Sequence, residues 1–296
     1  MGPALTDRPF RFGVYLTDVT DRVDFVDKCV RAEGYGFDVI GIADHLNMWA
    51  PFPSLMVAAE ATGRTRIATA MLDTAFYNPT LLARDVATAD RLTDGRLELG
   101  LGTGYQRSEF DAAGIRWPDA RARVDHLEYT ITVLRHLFAD PDHQPRPVQW
   151  PAPPLWLGGR GDRVLALAAR YADIIGFTGF APAADGGKGD LADFDGVAER
   201  VAYVRNRLGN RDRLVELNVL VWRTMVTPNR RAKAAEIDGV RGLSADQLLD
   251  VPTVLIGTEK QIAEQLIEYR ERLGLTYFTV RDCNLDSFGP IIELLK

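Results

Sequence analysis

Apolar residues fall along this chain in a repeating two-part rhythm. A short continuous apolar run is followed by a longer stretch in which apolar positions return every three or four residues. Phe12-Gly13-Val14-Tyr15-Leu16 is the first run, and Val23, Val26, Cys29 and Val30 then recur at helical spacing up to Gly34. A run that is apolar at every position fits a strand buried on both faces of a parallel sheet. Similar runs follow at Phe37–Ala43, Ile67–Leu72, Leu97–Leu101, Leu155–Leu157, Asp173–Phe177, Val215–Trp222 and Tyr277–Val280.

Helical signals fill the gaps. Ser54–Thr62 is alanine-rich, with Pro53 suited to a first turn, and Asn78-Pro79 reads as an N-cap followed by proline at the first helical position. Leu82, Val86, Ala89 and Leu92 line one predicted face. Val124, Leu127, Ile131, Leu134 and Phe138 give the cleanest stripe. Helices are also predicted over Arg163–Tyr171, Phe194–Leu208, the stretch marked by Ile262, Leu266, Ile267 and Leu273, and Ser287–Lys296.

Eight strands, each followed by a helix and joined by right-handed crossovers, predict an α/β fold: a TIM (β/α)8 barrel with insertions, as one domain over residues 1–296. Proline-rich Asp140–Pro154 reads as an insertion rather than a linker, because the alternation continues beyond it. Asn229–Asp250 reads as a charged helical insertion. The glycine-rich stretch Gly176–Gly189 reads as a mobile active-face loop, and the loop at 178–193 is expected to shape a substrate pocket.

In parallel barrels the strand carboxyl ends carry the chemistry, because the βα loops converge there. The second run, Val39-Ile40-Gly41-Ile42-Ala43, delivers Asp44-His45 and then Trp49 at that end. One reading makes His45 a functional imidazole; the other makes it a buried structural histidine held by Asp44. After the fifth run, Gly158-Gly159-Arg160-Gly161 turns into a helix. Glycines admit a ligand close to the backbone and the helix start offers free N–H groups, so this turn is a candidate phosphate site, with Arg160 or Arg163 adding a charge-assisted bond. The alternative is that the glycines only make the tight turn. Gly100-Leu101-Gly102-Thr103-Gly104 lacks the rest of a dinucleotide fingerprint; its small residues suit a flat ring lying against the barrel mouth.

Composition works by exclusion. The formal charge of −6 argues against nucleic acid or an anionic membrane as partner. Two cysteines, Cys29 and Cys283, make no disulfide framework and match no metal spacing, and Cys29 is expected in the core. No metal site is expected. Four histidines are too few for a metal-dependent barrel hydrolase, and His126 and His136 read as ordinary helix residues. No apolar stretch is long enough to span a membrane, and Met1–Pro9 lacks the pattern of a secretory signal, so a cytoplasmic protein is expected.

Together, Ile42-Ala43-Asp44-His45, Tyr77-Asn78-Pro79, the run from Asp94 to Gly104, Leu157-Gly158-Gly159 and Val254-Leu255-Ile256-Gly257-Thr258 resemble the bacterial luciferase-like monooxygenase superfamily. Within it, the chain is similar to the branch that uses the deazaflavin coenzyme F420. The resemblance implies a homodimeric TIM barrel holding a flavin or deazaflavin ring at the strand carboxyl ends. It implies a non-prolyl cis peptide behind the ring, at Ala70-Met71 by position. It further implies Asp44 at the polar edge of the ring, His45 beside the redox carbon, and Asn78, Gly102, Thr103, Gly104, Gly158, Gly159, Arg160 and Gly161 among the cofactor contacts. Trp49 matches a tryptophan that the sugar-phosphate dehydrogenase branch places near its substrate. That branch has a proton-donating glutamate after Gly-Thr-Gly, where this chain has Tyr105. Glu109, one helical turn on, is either its substitute or a surface residue.

The expectation is an oxidoreductase that moves a hydride between coenzyme F420 and a small-molecule substrate. His45 is the expected proton-transfer group and Tyr105 a second donor or positioning hydroxyl. Two alternatives stay open: an FMN-dependent two-component monooxygenase fed by a separate reductase, and a flavin-binding protein without catalysis.

Overall fold

A computed structural model describes residues 8–181, 190–212 and 214–296. Its strands are β1 (Arg11–Leu16), β2 (Val39–Ile42), β3 (Arg66–Thr69), β4 (Leu72–Asp73), β5 (Leu97–Gly102), β6 (Leu155–Gly159), β7 (Ile174–Phe177), β8 (Glu216–Leu220), β9 (Arg223–Val226), β10 (Val254–Gly257) and β11 (Tyr277–Arg281). Its helices are α1 (Arg22–Gly34), α2 (Pro51–Ala61), α3 (Pro79–Leu92), α4 (Arg107–Ala112), α5 (Ala120–Ala139), α6 (Asp162–Tyr171), α7 (Phe194–Leu208), α8 (Arg230–Glu236), α9 (Ala245–Leu248), α10 (Glu259–Leu273) and α11 (Leu285–Leu295).

The main sheet runs β3-β2-β1-β11-β8-β7-β6-β5, all parallel, and the β3–β5 pairing closes it into an eight-stranded barrel. The predicted runs are the barrel strands. Strand β4 resumes β3 after an interruption. Ala68 faces Glu98 but Leu72 faces Leu101, so four residues advance against three and the register slips by one. This bulge spans the Ala70-Met71 peptide bond, which is cis as expected.

Alternation along the strands divides the core in two. Phe12, Val14, Ile40, Ile67, Leu99, Leu157 and Phe278 point outward into the helices, whereas Val39, Ala68, Trp156, Ile174 and Tyr277 fill the barrel interior. Inward-facing glycines make room for the rings: a Cβ on Gly41 would meet Tyr15 at 2.6 Å, and one on Gly176 would meet the Trp156 indole nitrogen at 2.8 Å. At the amino-terminal end, Arg11 and Arg66 both pair with buried Glu98, and Arg11 also reaches Glu216.

Three expectations are corrected. In α1, Phe25, Cys29 and Ala32 are buried, while Val23 and Val30 are 75% and 52% exposed. Two apolar stripes share that helix, and the barrel takes the one carrying the larger ring. Leu92, at the end of α3, is likewise exposed. The insertion after β8 is only partly helical, and it is flanked by β9 and β10, which pair in parallel as a separate two-stranded sheet. Among the described residues, no helix is long and apolar enough to cross a membrane.

Candidate active site

At the end of β2 the chain turns through a Met48 N–H to His45 carbonyl bond of 2.9 Å. Successive side chains on an extended chain point to opposite sides, and Asp44 and His45 accordingly find different partners. The Asp44 carboxylate accepts the Asp73 backbone N–H at 3.0 Å and the Tyr77 hydroxyl. Burial pushes the pKa of Asp44 up against the pull of those two donors. The reading in which Asp44 holds His45 is therefore corrected.

His45 turns toward the segment after β5. Its Nδ1 lies 2.9 Å from Glu109 Oε1 and 2.9 Å from Gln106 Nε2, and its Nε2 lies 3.4 Å from the Tyr105 hydroxyl. The imidazole and Tyr105 rings meet edge-to-face at 5.8 Å. Helix α4 starts directly beyond Gly-Thr-Gly, which brings Glu109 back one turn later onto the histidine. Its side chain is only 14% exposed, so the surface reading of Glu109 does not hold. A cavity of about 550 Å³ opens against this group, lined by His45, Leu46, Asn47, Met48, Tyr105 and Glu109 among others. Burial, and then the nearby Glu109 carboxylate, raise the pKa of Tyr105. Trp49 is not in that lining; its ring stacks on Phe25 at 5.6 Å.

The floor of the mouth is built from Ala70 and Met71. A Cβ on Gly100 would meet the Thr69 carbonyl oxygen at 2.0 Å and the Met71 sulfur at 2.7 Å, one on Gly158 would meet the Met71 terminal methyl at 3.1 Å, and Gly102 lies beside the Met71 Cβ. These glycines seat the methionine from below, so the mouth above is free of their side chains. Half-buried Thr103 leads to Gly104, whose left-handed backbone (φ 67°) lies against the Asp73 carboxylate. Burial pushes the Asp73 pKa up to about 6, and Asp44 and Glu109 add to the rise.

At the β6 turn the structure separates the glycines by role. A Cβ on Gly159 would meet Val164 at 2.5 Å, so glycine is required there by the turn's own packing. Gly161 is the N-cap of α6, has no side-chain cap, and faces open space where a Cβ would sit. The first amides of α6 thus have no side-chain acceptor, the arrangement that suits an anion. Arg160 reaches across the turn to the Ala181 carbonyl at 3.2 Å, whereas Arg163 is committed to Asp125 at 2.5 Å on α5. Asn78 acts as the predicted N-cap, accepting from the Thr80 and Leu81 amides.

His126 does more than an ordinary helix residue. Its Nε2 lies 3.0 Å from the Thr74 carbonyl and ties α5 to the loop after β4. Among the described residues, no cluster of three or more His, Cys, Asp or Glu side chains is placed to hold a metal ion. The expected pocket-shaping role of the loop at 178–193 falls largely on residues 182–189, which lie outside the described residues. The sequence reading did not single out Asp73, Tyr77 or Gln106, although each lies within or just beyond a segment that it marked.

The closed parallel barrel, with a carboxylate-backed imidazole at its carboxyl-terminal mouth, is a (β/α)8 architecture. The chain belongs to the luciferase-like monooxygenase family, whose model matches residues 9–202. It is 37% identical over 128 residues to the F420-dependent glucose-6-phosphate dehydrogenase of Intrasporangium calvum, covering 40% of this chain and 38% of that protein. The chain thus spans well under two thirds of the length of that relative. In structure it is similar to the coenzyme F420-dependent tetrahydromethanopterin reductase of Methanopyrus kandleri, with a TM-score of 0.74, 16% identity, and coverage of 98% of this chain and 100% of that one. It is also similar to a long-chain alkane monooxygenase, with a TM-score of 0.76, 15% identity, and coverage of 97% and 91%. At such identities these two likenesses speak for the fold alone.

Proposed function

We propose that the chain is an oxidoreductase that moves a hydride between coenzyme F420 and a small organic substrate. The observation that carries the reading is the placement of His45 at the mouth, with one ring nitrogen against Glu109 and the other turned toward Tyr105 beside the cavity of about 550 Å³. The named activity of the sugar-phosphate dehydrogenase relatives supports the same coenzyme.

The residues present fit such a group. The glycine-backed floor at Met71 leaves a surface for a flat ring, Asp44 sits at its edge, and the uncapped start of α6 at Gly161 suits the phosphate. When bound, the deazaflavin supplies the carbon that takes or gives the hydride. The protein's own part is to hold the substrate in line, to keep water from the mouth, and to take up or return one proton at His45 Nε2.

The substrate is a small alcohol or amine, or its oxidised partner, rather than a sugar phosphate. No Lys or Arg lines the cavity among the described residues, and Tyr105 stands where the sugar-phosphate branch has its glutamate. The test is a screen for deazaflavin reduction by neutral alcohols and amines, with glucose 6-phosphate alongside. Turnover of the phosphate in preference to all neutral compounds would overturn this substrate class.

The protein acts in this reading as a cytoplasmic homodimer. Support for the dimer comes from exposed apolar side chains, Val23 and Val30 on α1 and Leu81 and Leu92 on α3, and from an apolar groove of about 370 Å³ between α1 and α2. The exposed free thiol of Cys283 fits a reducing compartment.

A further inference from the structure

We propose that Glu109 is the positioning residue of this site: its carboxylate keeps the proton of neutral His45 on Nδ1 and presents an unprotonated Nε2 to the cavity. The catalytic consequence rests on the oxidoreductase reading above; the tautomer itself does not.

The donors around the imidazole decide the tautomer. Nδ1 has two close partners, Glu109 Oε1 and Gln106 Nε2, each at 2.9 Å. An ionised carboxylate can only accept. If Nδ1 carried no proton, its lone pair would face those of Oε1 across 2.9 Å, with only a neutral amide N–H in compensation. With the proton on Nδ1, the same contact becomes a charge-assisted hydrogen bond, about twice as strong as a neutral one. Gln106 Nε2 then gives up Nδ1 as an acceptor and donates to the same oxygen, Oε1, at 3.2 Å, so that two donors converge on one acceptor. This arrangement outweighs the alternative.

Nε2 is left as an acceptor. Its near donor is the Tyr105 hydroxyl at 3.4 Å, a long contact that a substrate O–H or N–H can replace. The charged and titratable groups around the imidazole are Glu109 from α4, Asp44 beyond β2 and Tyr105 after β5, with Asp73 at the end of β4 behind Asp44 and Arg123 of α5 beside Asp73. Arg123 acts on Asp73 rather than on the imidazole, the remaining groups are acidic, and no Lys or Arg lines the cavity among the described residues. An imidazolium formed at Nε2 would therefore be stabilised by Glu109 behind it. In the oxidation direction, the substrate X–H bond breaks toward Nε2 and the neighbouring C–H pair leaves as hydride for the deazaflavin. A C=X double bond forms, the substrate is oxidised and the coenzyme reduced.

The test is nitrogen NMR on histidine-labelled protein without coenzyme, the His45 signals being assigned by their loss in a His45→Gln variant. Neutral imidazole in water favours the Nε2–H form. The wild type is expected to show Nδ1–H. Glu109→Gln, which keeps an accepting oxygen, should retain it, and Glu109→Ala should move to Nε2–H. An Nε2–H tautomer in the wild type, or an unchanged tautomer in Glu109→Ala, overturns the proposal. If Glu109→Ala does not fold, the wild-type spectrum decides alone. In turnover, Glu109→Ala is expected to lower kcat about 10- to 100-fold with KM little changed. A protein with the Nδ1–H form that binds no deazaflavin would sink the functional reading and leave the positioning role intact.

Discussion

Asp73 and Gly104 are pressed together across two strand ends: a Cβ on Gly104 would stand 1.9 Å from Asp73 Oδ2. The contact shuts the carboxylate in, and burial pushes its pKa from 3.8 up to about 6. A carboxyl whose folded pKa is raised lends its full stability below the unfolded pKa and loses it as pH climbs through the folded one. Folding should therefore weaken between about pH 4 and pH 6, by up to about 3 kcal/mol for this group. Asp73→Asn keeps an oxygen for the Ala75 amide and removes the ionisation. Thermal melts should show the variant gaining on the wild type at pH 7.5 and not at pH 4.5. An equal difference at both values would contradict the assignment.

Gly161 separates helix stability from ligand binding. Its backbone is extended, nothing crowds the Cβ position, and α6 has no side-chain cap. Gly161→Asp should supply that cap, worth a few tenths of a kcal/mol against glycine, while placing a negative charge where the coenzyme phosphate is expected. Its Tm should hold or rise slightly, and coenzyme affinity should fall at least about 10-fold, which is about 1.4 kcal/mol. Unchanged affinity in a titration would remove the phosphate from this turn. Gly159 is the poorer probe, because a side chain there strikes Val164 and disturbs the fold first.

His45→Ala should leave coenzyme affinity close to the wild-type value and cut turnover at least about 100-fold. Single-turnover kinetics at saturating coenzyme would read this directly. Retained turnover would return His45 to a structural role.

Val30 tests the dimer. It is half-exposed on the face of α1 turned away from the barrel core. Val30→Asp should leave the melting temperature of a monomer unaffected and shift sedimentation toward the monomer at micromolar protein. A wild type that sediments as a monomer would discard that interface.

Much of the barrel was legible because its strands are short, mainly apolar runs, the pattern of a sheet covered on both faces; buried Thr69, Glu98, Asn218 and Thr279 are the polar exceptions. Helix α5 was legible for a complementary reason: Val124, Leu127, Ile131, Leu134 and Phe138 form its one apolar stripe, and all five are buried. Helix α1 was legible in part: Cys29 of the predicted stripe is buried, but Val23 and Val30 are exposed and Phe25 and Ala32 take the core positions, since periodicity does not say which of two overlapping stripes meets the core. Strand β9 was missed because Arg223–Val226 is short and partly polar; β10, Val254–Gly257, is apolar throughout, but its partner is β9 rather than a barrel strand, so the βα count passes over it. At the site, Asp44 and His45 were visible as an ionisable pair after a buried strand. Their division between separate partners was not, because it depends on where α4 returns Gln106 and Glu109. The glycines at 100, 102 and 158 were marked as space for a ligand; the structure shows the Thr69 carbonyl and Met71 against Gly100, and Met71 against Gly158.

The most direct test of the central claim is a fluorescence titration of the purified protein with coenzyme F420 and, separately, with flavin mononucleotide. Saturable micromolar or tighter binding of the deazaflavin, with flavin mononucleotide at least about 10-fold weaker, is the predicted result. Preferential binding of flavin mononucleotide would contradict it and turn the site toward oxygen-dependent chemistry with a partner reductase.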